Sequence, residues 1–187
     1  MATVHNFDQE MSAVTTADEA DLALIHDTSA SVKGYVTLSQ IKTVTSAPVV
    51  TTATTLTVTA ASHAGKTIVV NSTSPIAITL PQATGSGNRY RIAIGVVATA
   101  TGHTIKVANA TDNMNGAMAV FDTSATDITA IAFSATATDD TITLNGTTTS
   151  GTVGTIIEIE DIKTGLFSSF VRGAATGSYA TPFSATV

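Results

Sequence analysis

Between residues 55 and 81, apolar side chains return at every second position: Leu56 and Val58, Ile68 and Val70, then Ile76, Ile78 and Leu80. Successive side chains of an extended chain point to opposite faces, so this spacing buries one face of a strand and does not make the apolar stripe of a helix. β-Branched residues dominate the same stretch, and their stiff side chains pack well on a pleated surface. Threonine supplies roughly one residue in five of the whole chain, with much Ala, Val, Ile, Ser and Gly beside it. Such a composition belongs to strands and tight turns.

The same stretch carries a competing signal. Ala60, Gly65, Lys66 and Thr67 fit a degenerate phosphate-loop pattern. That chemistry needs a helix after the lysine, whose first N–H groups and dipole hold the phosphates. Thr67-Ile68-Val69-Val70-Asn71 follows instead, a β-branched run ending in a polar turn before Pro75, and Ala60 stands where the motif has its first glycine. The residues predict one helical turn over 60–64, a chain reversal at Gly65 and a strand opened by Lys66.

Further runs that read as strands cover 89–97, 104–108, 118–121, 128–133, 141–144, 155–162 and 166–171. Turn formers such as Gly85-Ser86-Gly87-Asn88, Asp139-Asp140 and Asn145-Gly146 separate them. No helical pattern long enough for a parallel crossover intervenes, so the expected fold is all-β: an antiparallel sandwich, jelly-roll-like or barrel-like body. Within 156–161, Glu158 and Glu160 share the outward face, and Ile157, Ile159 and Asp161 share the other. No internal sequence repeat is visible. Upstream, 18–25 fits a short helix or, better, a strand entering at Leu22; 34–38 reads as a strand, with a helical turn after it. A Thr/Ser/Ala-rich link holding Pro48 then separates an extended N-terminal arm, 1–45, from a β-rich body, 46–187. The body ends in a small-residue tail that is expected to run over a surface, with Tyr179 and Phe183 as anchors and as candidates for self-association.

The charge is uneven. Asp8, Glu10, Asp18, Glu19, Asp21 and Asp27 all precede the first basic residue, Lys33, and the remainder balances to leave a net charge of -6. Those six carboxylates are candidates for docking on a basic protein surface. Nucleic-acid binding needs a basic stripe, and only Arg89 and Arg91 cluster, so no nucleic-acid partner is expected. No run approaches the roughly 18 apolar residues of a membrane span, and no membrane partner is expected either. The first residues lack the basic-then-apolar pattern of a secretion signal. With no cysteine, thiolate metal sites and disulfides are excluded.

Catalytic constellations are weak. His5, His26, His63 and His103 are scattered, and no G-x-S-x-G turn exists for a nucleophile. Glu158, Glu160 and Asp161 supply adjacent carboxylates without an aromatic sugar platform, the pattern of a solvated strand face. Asp112-Asn113-Met114-Asn115-Gly116 has oxygen ligands near a glycine but lacks the closing bidentate glutamate of a calcium loop, and it reads as a turn; Asp139-Asp140 is equally ambiguous. Asn71, Asn109 and Asn145 match glycosylation acceptors by chance in a threonine-rich chain. No catalytic, cofactor or metal site is expected.

Two segments resemble tailed-bacteriophage virion proteins. The run Thr57-Val58-Thr59-Ala60-Ala61, continuing through Gly65-Lys66-Thr67-Ile68-Val69-Val70-Asn71 to Ile78-Thr79-Leu80-Pro81, is similar to a β-repeat of phage fibre and head-decoration proteins. Asp21-Leu22-Ala23-Leu24-Ile25-His26-Asp27, followed by Tyr35-Val36-Thr37-Leu38-Ser39-Gln40-Ile41, is similar to their virion-attachment segments. Together they cover about a third of the chain. At 187 residues the chain is short for a receptor-binding fibre and has no shaft signature, which favours a capsid decoration or cement protein. The resemblance implies a structural homotrimer on the outer surface of the capsid, with the major capsid protein as partner. The rival reading is a small tail or fibre-associated protein binding a host surface glycan; a glycan-cleaving enzyme using Glu158 and Glu160 is a third.

Overall fold

The computed structural model describes residues 22–27, 32–37, 47–98, 101–123 and 129–187. The chain divides into two units, Met1–Thr45 and Ser46–Val187. In the first, β1 (Leu22–Asp27) and β2 (Val32–Thr37) form an antiparallel hairpin with Leu22 opposite Thr37 and Asp27 opposite Val32. The helical turn expected after residue 38 lies outside the described residues.

The second unit opens with six short strands: β3 (Val49–Thr51), β4 (Thr55–Thr57), β5 (Thr67–Val70), β6 (Ala77–Thr79), β7 (Arg89–Ile94) and β8 (His103–Lys106). Odd-numbered strands enter one sheet and even-numbered strands the other, so the chain winds as a coil of three turns. Within each sheet successive turns pair in parallel, β3 with β5 and β5 with β7, β4 with β6 and β6 with β8. The Thr/Ser/Ala-rich link expected around Pro48 thus already contains β3. A one-turn helix, α1 (Ala60–His63), carries β4 into β5, and Gly65, at φ +74°, makes the reversal before β5.

Six more strands complete the body: β9 (Asn113–Asp122), β10 (Ala130–Ser134), β11 (Thr141–Leu144), β12 (Ile156–Lys163), β13 (Leu166–Ala175) and β14 (Phe183–Ser184). The seven-stranded sheet has the order β10-β9-β13-β12-β7-β5-β3, and the five-stranded sheet β14-β11-β8-β6-β4. The expected all-β class holds, but the sheets are mixed where an antiparallel arrangement was expected. Parallel neighbours need a long crossover, normally a helix. Here the crossover is a strand of the facing sheet, which brings the chain back in the same direction without one. Residues 113–116, expected as a turn, open β9: Gly116 lies against Ser169 of β13 in parallel register, where a Cβ would run into the Ser169 carbonyl oxygen.

Register turns the alternation into continuous rows. Across the five-stranded sheet Leu56, Ile78, Ile105, Ile142 and Phe183 stand side by side. Across the seven-stranded sheet the row is Val49, Ile68, Ile92, Ile157, Val171, Met118 and Phe133. Members of both rows belong to one buried cluster, so the two sheets share a core. Threonine explains itself on the other side: Thr55, Ala77, Thr104 and Thr143 form an outward row on the smaller sheet, with hydroxyls toward water.

Buried polar groups lock the connections. His103 Nδ1 accepts the Ile76 N–H at 3.2 Å, so the proton sits on Nε2 and is donated to the Val96 carbonyl at 3.1 Å. Burial holds the imidazole below its usual range, the Val96 bond opposing it in part. Asp140 accepts N–H groups from Thr186 and Val187, at 2.8 and 3.2 Å, and fastens the last residues beside β11. Asp161, next to a bulge in β12, receives the N–H groups of Thr84, Gly85 and Ser86 and the Ser86 hydroxyl, at 3.1, 2.8, 3.0 and 2.6 Å. It holds the turn that delivers β7. Burial alone would raise the Asp161 pKa, but the bonds from Ser86, Gly85 and Thr84 outweigh it and lower it from 3.8 to about 2.

Ile105→Ala, at the middle of the smaller sheet's row, will cost about 2–5 kcal/mol in urea unfolding, and Val50→Ala, on an exposed edge position, less than about 0.5 kcal/mol. The Asp161 pKa is lower folded than unfolded, so its contribution is complete above pH 3.8 and is lost as pH falls through about 2. Asp161→Asn will therefore lose less stability than the parent across that window, measured by unfolding free energy against pH.

Candidate functional site

The outer face of the seven-stranded sheet is set by its inner one. Burial of Tyr90 and Ile92 on β7 turns Arg89 and Arg91 outward, and burial of Ile157 and Ile159 on β12 turns Glu158 and Glu160 outward. The antiparallel pairing then places Glu158 opposite Arg91 and Glu160 opposite Arg89. On the far side of β12, β13 sets Phe170 opposite Glu158 and Ser168 opposite Glu160. On the far side of β7, β5 sets Thr67 opposite Arg91. These side chains and the 65–66 reversal surround a groove of about 560 Å³.

Two ion pairs lie in or beside it. Arg89 Nε is 3.1 Å from Glu160 Oε2 and its Nη2 donates to Oε1 at 3.3 Å, a two-point contact. Arg172 Nη2 is 3.5 Å from Glu158 Oε1. Arg91 Nη1 donates to Thr67 Oγ1 at 3.1 Å. Neither Arg91 nor Lys66 is ion-paired among the described residues. Glu158 and Glu160 stand side by side on one sheet face, each beside a guanidinium. The groove is equipped for polar and aromatic contact.

The remaining candidates fall elsewhere. Asp8, Glu10, Asp18, Glu19 and Asp21 lie outside the described residues, and Asp27 ends β1. Phe183 is buried in β14 against Ile142, and half-buried Tyr179 packs on the same core, so both anchor their own chain. Asp112 accepts the Ala83 N–H and the Asn109 amide, each at 2.9 Å, and Asp139 accepts the Thr136 N–H at 2.6 Å. With Asp140 they are committed to internal donors, and among the described residues no group of three or more His, Cys, Asp or Glu is placed to hold a metal ion. His63 Nδ1 accepts the Thr59 N–H at 3.0 Å beside α1. Asn109 and Asn145 each accept the N–H two residues on, at 2.9 Å, as turn-forming side chains do.

The sequence singled out Gly65-Lys66, the two arginines and the two glutamates separately; the sheet brings them together. Ser168 and Phe170 were not singled out. Their signal was the alternation Phe167, Ser168, Ser169, Phe170, which puts an aromatic ring on an outward position once Phe167 is taken as buried. A scan against protein-family models, a search of curated proteins and a search of solved structures each return no match.

The Arg89–Glu160 pair is largely exposed, with 76% and 37% of the two side chains accessible. Arg89→Ala, Glu160→Ala and the double change will each shift the unfolding free energy by less than about 1 kcal/mol. Their coupling, read from the double-mutant cycle, will shrink as salt is raised.

Proposed function

We propose that this chain is a structural virion protein, a head decoration protein that binds the outer capsid surface and stabilises contacts between capsid subunits. The observation that carries the reading is the run 57–81. The residues that resemble the repeat of phage fibre and decoration proteins run from the end of β4 through α1 and β5 to β6, and they pack their alternating apolar side chains in the core of the coil. A body made this way presents fixed surfaces.

The acidic arm supplies the capsid contact in this reading. Its six carboxylates, Asp8, Glu10, Asp18, Glu19, Asp21 and Asp27, suit a basic patch on the major capsid protein, and the body, as a homotrimer, bridges neighbouring capsomers. Each contact is weak. Linking several on one trimer makes the later ones effectively intramolecular, so occupancy rises far beyond that of a single arm.

Deletion of residues 2–27 will abolish co-sedimentation with the cognate capsid while the far-UV spectrum of the body persists; unaltered co-sedimentation would remove the arm from this role. Quantitative mass spectrometry of purified particles will give a copy number matching the capsid lattice. A few copies per particle, located at the tail, would replace decoration with the tail-associated reading.

A further inference from the structure

We infer that the groove on the outer face of the seven-stranded sheet binds an acidic saccharide, whose carboxylate lies between Lys66 and Arg91 and whose ring packs on Phe170. The inference is independent of the virion reading, since it uses only the geometry of this sheet face.

Charge placement comes first. Arg89 and Arg172 are matched by Glu160 and Glu158, while Lys66 and Arg91 line the groove without a carboxylate of their own among the described residues. The Thr67 hydroxyl engages one guanidinium nitrogen of Arg91, leaving further donors for an anion. A planar guanidinium and an ammonium lining one groove suit a carboxylate. Lys66, Arg89 and Arg91 line the groove against two carboxylates, Glu158 and Glu160, which makes it locally positive in a chain of net charge -6.

The rest of the groove selects the kind of anion. Phe170 is 41% exposed and lies in register with Glu158, Arg91 and Thr67, so the backbones carrying ring and guanidinium are two strands apart, about 10 Å. An aromatic surface at that distance takes the apolar face of a sugar. Glu158 and Glu160 lie between and beside them as acceptors for sugar hydroxyls. An acidic peptide fits less well: it has no pyranose face to set on Phe170. It would also find no free backbone ladder, because β5, β7, β12 and β13 are all interior strands, and strand addition needs an edge.

Isothermal titration of the full-length chain with a galacturonic acid trimer tests this, with the methyl-esterified trimer and a triaspartate peptide as comparisons. The acid trimer will bind, and the ester will bind at least about tenfold more weakly, since it loses the charged hydrogen bonds. Arg91→Gln and Lys66→Gln will each reduce affinity several-fold to about tenfold with an unchanged thermal midpoint, and Phe170→Ser will reduce it with the ester preference intact. Lys66 lies outside the strands, so its variant reports even if Arg91→Gln perturbs the sheet. Equal binding of acid and ester overturns the inference. So does affinity unchanged in both cation variants, tighter binding of triaspartate, or no heat from the acid trimer up to about 10 mM.

Discussion

Everything in the body depends on two apolar rows staying in register across the core. Side chains alternate with a period of two, so a slip of one residue on any strand would carry its apolar set to solvent and its polar set inward. The penalty is greatest at the centre, where Ile92, Ile157 and Val171 on one sheet and Ile78, Ile105 and Ile142 on the other are fully buried. Apolar burial of a side chain this size contributes about 1.5–3 kcal/mol, against exposed ion pairs worth well under 1 kcal/mol. The rows therefore choose the register, and the charges follow.

That order of causes explains the groove. Arg91 stands opposite Glu158, and Arg89 opposite Glu160, because Ile92 stands opposite Ile157 one position away. The turn before β7 is held as firmly as the strands, by the five N–H and O–H groups of Thr84, Gly85 and Ser86 directed at Asp161. A surface assembled this way has its side chains rooted in rigid backbone, which suits recognition by fixed contacts.

The strands themselves were legible, because alternation and turn residues act locally. Leu56, Ile68 and Ile78 announce their faces without reference to any partner, and Gly65 announces the reversal after α1. Strand direction was not legible, since parallel and antiparallel strands alternate in the same way and differ only in distant partners. The usual cue, a helix between parallel strands, is missing because the facing sheet provides the return path. The coil hid from a search for repeats for a related reason. Val49, Ile68 and Ile92 occupy equivalent places, but they are 19 and then 24 residues apart, so no fixed period exists. The groove was half legible: Arg89, Arg91, Glu158 and Glu160 could be assigned to outward faces, but their meeting required the pairing of β7 with β12, more than 60 residues away in sequence.

The anchoring of residues 186 and 187 by Asp140 has a mechanical side. The chain enters the five-stranded sheet at one edge, β4, and leaves it at the other, β14. Tension between those two edges would run across the strands, along the hydrogen bonds, and would open the ladders one after another instead of shearing them together. In that geometry the first ladder to yield is the shortest, the two-residue pairing of β14 with β11. The two amides of Thr186 and Val187 on the Asp140 carboxylate lie just beyond it, and they place a charged clasp at the point where peeling would begin.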